Sequence, residues 1–506
     1  MIKKILLLML IHSTVTALGQ GNEQSLEQYL QSRRDGISEA VCEFYECYGT
    51  ATAWVGSQNQ ANLVALEMEM AKAPQLGLRS ADYPHAWLAA QLRGNKPFTS
   101  AADSLATEIR ITGIAMQFYR DLQYGNVEPA FGYKGLPVPF SWHKVAIRLA
   151  TYVGRHQLTS LAADLTQRLP ELKVIAQKIV YFQQVADAPG FVEKTVVRKV
   201  VSAENKELAQ RLLQMGLLKS AEDDAAVKNA VRLSQREFGL LDDGIIRTTY
   251  LEALNMPLKK RLEQLVLSLN YYRWLAVLQE RQEVIVVNIP AAWMRVYDYG
   301  TTTLEMKMVC GKPSTPTPTL TSTVDEVILY PYWHVPYKIA TRELLPLIKM
   351  NRAFLDQGSY QVLNKAGKIV DPGTVNWKAL GPSNFPYTLR QSTGCDNALG
   401  LIKLNFDNPY SVYLHDTPNK MAFLLGKRFL SHGCMRMEKP FELARDLLPV
   451  NHIAIDTLEE KGNIRNKVPV TVKADTPTPL VVWYNPAGTD TDGQLRYYED
   501  VYGKMK

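Results

Sequence analysis

Long apolar runs are missing: after the first twenty residues, no apolar run approaches the ~18–20 residues that a membrane-spanning helix needs. Lys/Arg clusters are missing too, and a formal charge of +7 over 506 residues does not argue for nucleic acid as a partner. Repeats and low-complexity tracts do not occur. With 46% hydrophobic and 21% charged residues, these absences exclude collagen-like, coiled-coil and wholly disordered chains. The length predicts about two to four globular domains.

Cysteine is scarce, and its five copies make an odd count. No CxxC pair and no second cysteine cluster with histidine at metal spacing occurs, so we expect no zinc site. Cys42 and Cys47 are close enough in sequence to pair, although on a helix they point to different faces. Cys310 and Cys395 sit in apolar or loop surroundings. In an oxidising compartment an odd cysteine is an intermolecular partner or a reactive thiol, which makes Cys434 the residue to explain.

The N-terminus has the pattern of a secretory signal peptide. Lys3 and Lys4 give a positive start, residues 5–11 are an unbroken apolar run, and the small residues Ala17 and Gly19 follow. The pattern predicts cleavage after about Gly19, hence a signal peptide over 1–19 and a destination outside the cytoplasm. The alternatives are a buried N-terminal helix or a retained anchor, but the run is too short to anchor. No cysteine stands at the cleavage site, which argues against a lipoprotein.

Helical periodicity dominates the first half of the chain. Residues 20–203 read as a helical scaffold, with one helix carried by a stripe from Leu105 to Tyr119 and ending near Gly125. Residues 204–256 predict three short helices, with a tight turn at 242–245 and a capping box at 249–252 that opens the third. Residues 257–282 predict a connecting helix.

After this helix the apolar residues recur at every second position instead of with the helical period of about 3.6 residues. This change indicates strands over 284–289, 304–310, 411–415 and 450–455. We therefore predict a mainly antiparallel β-domain over 283–456, with a polar, turn-rich insertion at 341–391. The fold class is α+β multidomain. Residues 457–506 are expected to form a C-terminal extension that packs on the scaffold or on the β-domain.

A thiol of ordinary pKa is only a few per cent ionised at neutral pH, so a nucleophilic Cys434 needs a base or a positive field. His432, Arg436 and His415 are the candidates. In the strand 411–415, Val412 and Leu414 would face the core, which leaves His415 beside Tyr413 on the opposite face.

The next helix is predicted to begin near Pro440, too far from Cys434 for its dipole to act. Gly433 has no Cβ, so backbone N–H groups around Gly433 and Cys434 could bind an oxyanion. Taken singly, each residue has a plainer interpretation: a structural histidine, an inert buried cysteine, a salt-bridged arginine. Together they predict a cysteine acyl-transfer site.

The sequence resembles the YkuD-type L,D-transpeptidase family, which crosslinks peptidoglycan. YLHDTP (413–418) followed by SHGCMR (431–436) carries the resemblance. Further similar segments are 287–290, 331–336, 397–400, 440–448 and 492–503. Residues 205–256 are similar to the peptidoglycan-binding three-helix family. From end to end, the chain is similar to the large YcbB-like subgroup of Gram-negative bacteria, in which a cap is inserted in the catalytic fold where this chain has 341–391.

The resemblance implies roles for single residues. It makes Cys434 the nucleophile and His415 the base, oriented by a neighbouring backbone carbonyl such as that of Asp416. It places His432 and Gly433 on the oxyanion side. The implied substrate-binding residues are Arg436, Tyr413, Trp333, Ser431 and Asn397. Cys395 lies near the site in sequence and has no role; we expect it to be unpaired or to pair elsewhere than with Cys434.

The implied activity is formation of 3→3 peptidoglycan crosslinks through a thioacyl-enzyme, with release of D-Ala and with carbapenems as inhibitors that acylate the cysteine. No cofactor or metal is needed. Partners would be stem tetrapeptides and, through the three-helix module, glycan strands, in the periplasm and close to the membrane without spanning it. An L,D-carboxypeptidase, an enzyme that anchors protein to the wall, and a non-catalytic wall-binding scaffold remain alternatives.

Overall fold

The computed structural model describes residues 25–32, 36–93, 98–137, 140–220, 223–394, 396–450, 452–462, 464 and 467–505. The predicted signal peptide (1–19) and Cys395 lie outside the described residues. The chain divides into two compact units. One comprises the described parts of 1–67, 84–117 and 142–158, and the other those of 68–83, 118–141 and 159–506. None of the helices in the described ranges combines the length and apolar character required to cross a bilayer.

Helices occupy most of the chain before the β-rich region. They are α1 Leu26–Ser32, α2 Glu39–Tyr48, α3 Gln60–Ala71, α4 His85–Arg93, α5 Ala101–Tyr124, α6 Trp142–Gly154, α7 Leu158–Thr166, α8 Pro170–Ala186, α9 Lys206–Gln214, α10 Asp224–Glu237, α11 Thr248–Leu254 and α12 Leu258–Leu278. The predicted apolar stripe lies in α5, which ends where Gly125 takes a positive φ of 82°. The prediction of a helix ending near Gly125 is confirmed.

The first unit is organised around a buried carboxylate. Glu108 accepts hydrogen bonds from the backbone N–H groups of Ala53 (2.6 Å) and Val55 (2.8 Å) and from the Tyr45 hydroxyl (2.8 Å). Such donors offset the cost of burying the carboxylate, whose pKa is nevertheless raised by burial. Cys42 and Cys47 are both free thiols, so the disulfide considered for them is not formed.

The three-helix segment packs as part of a larger apolar cluster. Buried Leu208 of α9, Val227 of α10 and Leu254 of α11 share this cluster with residues of α8 and α12. The predicted turn at 242–245 is present, with Gly244 at φ 77°. The predicted capping box, with Thr249 as its N-cap, is wrong: the helix begins two residues earlier than the box implies, at Thr248, and follows Arg247, whose side chain does not cap it.

Strands dominate the rest of the second unit, with a few short helices. The strands are β1 Tyr133–Lys134, β2 Val284–Asn288, β3 Trp293–Asp298, β4 Thr301–Gly311, β5 Leu320–Leu329, β6 Trp333–His334, β7 Tyr360–Leu363, β8 Ile369–Val370, β9 Thr388–Gln391, β10 Ile402–Phe406, β11 Leu414–His415, β12 Phe429–Ser431, β13 Met435–Met437, β14 Val470–Trp483, β15 Ala487–Thr489 and β16 Leu495–Tyr497. The helices are α13 Tyr337–Ile339, α14 Leu345–Met350, α15 Ala353–Gln357, α16 Pro440–Leu447 and α17 His452–Lys461.

The main sheet runs in the order β1-β5-β10-β11-β13-β4-β3-β2-β14, and β12 pairs with β4. It closes on itself because β14 pairs with β5 as well as with β2. Most pairs are antiparallel; the parallel ones in the described chain are β1–β5, β11–β13, β12–β4 and β14–β2. Together with the helical first half, this confirms the predicted α+β multidomain class with a mainly antiparallel β-domain.

Three details of the predicted β-domain are corrected. The segment 450–455, predicted to be a strand, instead leads into helix α17, which begins at His452. The buried residues of this helix, Ile455 and Leu458, are three positions apart, which is the spacing of one helix face. The predicted strand 411–415 shortens to β11, since Ser411 has φ 56° in a turn. The predicted C-terminal extension contains β14, which is a member of the main sheet and not merely a segment packed against it.

The predicted insertion at 341–391 is a small folded layer that begins at Trp333. Its four strands pair in the order β6-β9-β7-β8, and a π-helical turn at Ala340–Leu344 leads into α14. Leu345, Leu355, Val362 and Leu389 belong to its own buried cluster. We refer to residues 333–391 as the cap.

Candidate active site

The pairing of β11 with β13 brings the two sequence motifs together. The strands are parallel, with Leu414 opposite Met435 and His415 opposite Arg436. The Met435 N–H donates to the Tyr413 carbonyl at 3.0 Å. Cys434, the residue before β13, therefore lies beside Tyr413, the residue before β11. Helix α16 begins at Pro440, as predicted, and its N-terminus is separated from Cys434 by β13.

Two hydroxyl groups, those of Ser431 and Thr317, hold the loop that carries Cys434. Ser431 Oγ accepts the Gly433 N–H at 3.2 Å and donates to the Cys434 carbonyl at 2.5 Å. Thr317 Oγ1 donates to the Gly433 carbonyl at 2.9 Å. Gly433 has φ 115°, a conformation that a side chain disfavours. These contacts fix the loop before any substrate arrives, and they commit the Gly433 N–H to Ser431 instead of leaving it for an oxyanion.

Burial raises the pKa of the Cys434 thiol, and several neighbours oppose that rise. The backbone N–H and the hydroxyl of Tyr413, which lie near the sulfur, and the positive charges of Lys403 and Arg436 all favour the thiolate. Burial also raises the pKa of Tyr413, so its hydroxyl keeps its proton and acts as a donor. At rest the sulfur is thus a thiol with the partners of a thiolate already in place.

His415 is buried and oriented by the next peptide group. Its Nδ1 lies 2.6 Å from the Asp416 carbonyl, which can only accept, so Nδ1 carries the proton and Nε2 offers a lone pair. Burial, reinforced by the charges of Arg436 and Lys403, lowers the pKa of His415 to about 3. The imidazole is therefore a neutral base. Among the described residues no hydrogen bond joins it directly to Cys434; its edge meets the Tyr413 ring, with centroids 5.6 Å apart.

Asp416 is locked in place by contacts on all sides. Its carboxylate lies 2.5 Å from Lys420 Nζ and accepts the Leu401 N–H at 2.9 Å. Its own N–H donates to the Ile402 carbonyl at 2.8 Å. Gly400, at φ 62°, lies against this carboxylate, and a Cβ there would come within 2.7 Å of Asp416 Cβ. Asp416 therefore holds the carbonyl that orients His415, which is the contact predicted for it.

Two cations flank the thiol, and the sequence predicted one of them. Arg436 is mostly buried, and its Nε has no hydrogen-bond partner in the described part of the chain. Lys403 was missed. It lies in β10 directly opposite His415, with Nζ 4.3 Å from the centre of the Tyr413 ring. The available signal was the alternation of Ile402, Leu404 and Phe406 into the core, which puts residue 403 on the other face.

The remaining residues predicted for the site make contacts of different kinds in the structure. Trp333 lies near Tyr413 and partly opposes the rise in the pKa of its hydroxyl, a position that fits a pocket wall. His432 turns towards the cap, where its Nε2 lies 2.9 Å from Glu343 Oε1, so its side chain does not form the predicted oxyanion side.

Asn397 is 1% exposed, and its amide bonds the backbone of Pro331, Ser392 and Leu399 at 2.8–3.0 Å. Its amide groups are thus committed to holding a loop, so the predicted substrate-binding role for it is corrected to a structural one. Thr317, which the sequence analysis did not single out, is fully buried and anchors the cysteine loop.

Comparisons with known proteins find two family matches and a relative, each covering part of the chain. Residues 282–483 match the L,D-transpeptidase catalytic domain, YkuD, and residues 39–173 match a scaffold domain. A putative L,D-transpeptidase of Haemophilus influenzae is 31% identical over 237 residues, which cover 47% of this chain and 47% of the relative. The match thus spans about half the length of that curated protein.

Solved L,D-transpeptidases of Mycobacterium are also similar to part of this chain. The enzyme of Mycobacterium smegmatis is 14% identical, with 40% of this chain and 58% of that one covered and a TM-score of 0.19. L,D-transpeptidase 3 of Mycobacterium tuberculosis is 14% identical, with 40% and 60% covered and a TM-score of 0.20.

Proposed function

Because the chain contains a YkuD-type L,D-transpeptidase catalytic domain together with an N-terminal scaffold domain, we propose that it is a periplasmic enzyme that forms 3→3 peptidoglycan crosslinks. The observation that carries the proposal is the arrangement at the junction of β11 and β13. There a thiol and an oriented neutral imidazole lie beside the same tyrosine. This is the set of groups that acyl transfer through a thioester needs.

In the first step, Cys434 attacks the carbonyl that joins the L-centre of diaminopimelate to D-Ala in a donor stem. Because the pKa of His415 is low and that of the thiol is raised, a stable thiolate–imidazolium pair is disfavoured at rest. The proton therefore leaves sulfur as the C–S bond forms, and His415 Nε2 passes it to the nitrogen of D-Ala, whose bond to the carbonyl breaks. The products are a thioester and free D-Ala.

In the second step, the side-chain amine of a second stem attacks the thioester. The attacking nitrogen loses its proton to the site, the C–S bond breaks, and the proton returns to the Cys434 sulfur, which restores the resting state. The Cys434 N–H is the candidate oxyanion donor, since it has no acceptor among the residues described, whereas the Gly433 N–H is already bonded.

Tyr413 connects the base to the nucleophile in this proposal. Its hydroxyl reaches the sulfur and its ring touches His415. Catalytic hydrogen bonds often tighten only when substrate is bound, so a direct contact between imidazole and sulfur is expected in the acylating complex. Glycan binding by the three-helix segment and a location near the membrane are further parts of the proposal, and they rest on the family resemblance.

Product analysis tests the proposal. The full chain is incubated with purified disaccharide-tetrapeptide, and products are identified by mass spectrometry. We expect dimers linked between diaminopimelate residues, with one D-Ala lost per link, and none with Cys434→Ala. Cys42→Ala, another free thiol, is the matched control and should keep full activity. Dimers from Cys434→Ala would overturn the proposal, and hydrolysed tripeptide as the only product would make the enzyme an L,D-carboxypeptidase.

A further inference from the structure

Lys403 is the residue at the site that neither the motifs nor the proposed mechanism has used. Its strand, β10, pairs with β11 so that Lys403 faces His415 across the ladder. Its ammonium sits over the face of the Tyr413 ring, 4.3 Å from the centroid. That same tyrosine lies beside Cys434, because the Met435 N–H donates to the Tyr413 carbonyl, and its hydroxyl is one of the groups that lower the pKa of the thiol. Lys403, Tyr413 and Cys434 are thus connected in series.

The charge of Lys403 is not neutralised by a neighbouring acid. No ion pair between Lys403 and a carboxylate occurs in the described chain, although the lysine side chain is more than half-buried. Glu326 is the acid that influences it, and that carboxylate accepts a hydrogen bond from Asn405 at 3.1 Å. Burying a lysine without a carboxylate partner is costly, and the Tyr413 ring and the Cys434 sulfur are neighbours that can offset this cost.

The side chains that face Cys434 include positive charges and no negative charge to balance them. Tyr413 and His415 come from β11, Arg436 from β13 and Lys403 from β10. Two of these are cations and none is an acid. The charge that this group accommodates best is a negative one at the sulfur.

We propose that Lys403 supplies the positive field that stabilises negative charge on the Cys434 sulfur, acting partly through the Tyr413 ring. A cation over the ring face withdraws electron density from the phenol and makes its O–H a stronger donor to sulfur. Without Lys403, the pKa of the buried Cys434 thiol would rise further, and the negative charge that develops on sulfur during attack would be less well stabilised. The inference rests on the proposed nucleophilic role of Cys434 and adds a residue to it.

Alkylation of Cys434 by iodoacetamide tests this without requiring any peptidoglycan. The rate is followed on the Cys434 peptide by mass spectrometry across the pH range, so other thiols do not contribute. We expect Lys403→Met to move the profile about one unit to higher pH, which lowers the rate about tenfold at neutral pH. Lys403→Arg, which keeps the charge, should stay within about threefold of the wild type.

Lys473→Met is the matched control. Lys473 lies in β14 opposite Glu326 and is exposed, so its loss changes the net charge equally in the same sheet. It should leave the alkylation profile unchanged. In turnover assays Lys403→Met should lower kcat at unchanged KM. An unaltered alkylation profile with a raised KM would show that Lys403 binds substrate instead, and would overturn the proposal.

A second measurement uses the wild-type chain, in case Lys403→Met does not fold. Cations around the sulfur should favour the anionic reagent iodoacetate, so its rate relative to iodoacetamide should be higher at Cys434 than at Cys42 and should fall with salt. An equal ratio at both thiols would contradict the proposal. If the wild type forms no 3→3 dimers while the Lys403 effect persists, the proposed function fails and the role of Lys403 stands.

Discussion

His432 Nε2 lies 2.9 Å from Glu343 Oε1, and this contact joins the loop that carries Cys434 to the π-helical turn of the cap. The two side chains are 34% and 49% exposed. A pair so accessible to water contributes little to the stability of the fold, typically below about 1 kcal/mol. Its consequence is geometric: it holds the cap against the residue two places before the nucleophile.

Replacing Glu343 with Gln is therefore expected to change substrate binding more than stability. Loss of the acceptor charge loosens the cap, so KM for the tetrapeptide should rise about threefold at low salt while kcat and the melting temperature stay near the wild type. Steady-state kinetics at low and high salt measure this. Because salt already weakens the wild-type pair, the difference should shrink in high salt, and a salt-independent difference would argue against the explanation.

Gly400→Ala is expected to be strongly destabilising. The residue has φ 62°, and a Cβ would collide with the Asp416 side chain. We expect a loss of about 2–4 kcal/mol in the free energy of unfolding, measured by chemical denaturation.

Gly367→Ala is the matched control, because Gly367 also has a positive φ, of 74°, and has open space around it. It should cost about 1 kcal/mol, the backbone part alone. Equal losses at the two positions would show that the contact with Asp416 is not what requires glycine.

Tyr413→Phe removes the hydroxyl that lowers the pKa of the Cys434 thiol and leaves the ring beside His415. Since the donor favours the thiolate, we expect kcat to fall about ten- to a hundredfold and alkylation by iodoacetamide to shift to higher pH. Tyr410→Phe, at a tyrosine that is 42% exposed, is the control and should behave as the wild type. Unchanged alkylation in Tyr413→Phe would remove Tyr413 from the proposed mechanism.

Glu283 predicts a pH dependence of stability. Burial, with the nearby Asp446 and Asp298, raises the pKa of Glu283 to about 7, against a reference of 4.5. The folded state therefore holds a proton that the unfolded state loses at lower pH. Its contribution to stability is fully present below about pH 4.5 and is lost as the pH rises towards 7.

Glu283→Gln, which cannot ionise, should therefore be more stable than the wild type at about pH 8, by about 1–2 kcal/mol once partial exposure is allowed for, and equally stable at about pH 4.5. Thermal denaturation at both pH values measures this. Glu460→Gln, at an exposed glutamate of α17, should show no such difference. A stabilisation that is the same at both pH values would contradict the assignment to Glu283.

The sequence could predict those residues of the site that lie within short continuous motifs. The segments around His415 and Cys434 each carry their own residues, and a parallel pair of short strands is enough to join them. Lys403 and Thr317 could not be found in this way. Each depends on a pairing or loop contact with residues distant in the chain, namely the register of β10 with β11 and the hydrogen bond to Gly433.

The fold shows the same division between local and distant information. The helix ending at Gly125 and the helix beginning at Pro440 follow from local signals. Helix α17 was mistaken for a strand because Val450, Ile453 and Ile455 are β-branched, although only Ile455 of these is buried. The membership of β14 in the sheet depends on partners nearly two hundred residues upstream in β2, as in the pair Leu480 and Ile285.

That pairing of β14 determines when the barrel can close. Its two ladders, one to β2 and one to β5, both need the strand that comes last in chain order among those of the main sheet. Before β14 pairs, the edges of β2 and β5 are open, and the other strands form an incomplete sheet with exposed hydrogen-bonding groups. A folding intermediate in which β14 is not yet paired is therefore the form of the chain most prone to aggregation, and a chaperone that shields the edges of β2 and β5 would act at this stage.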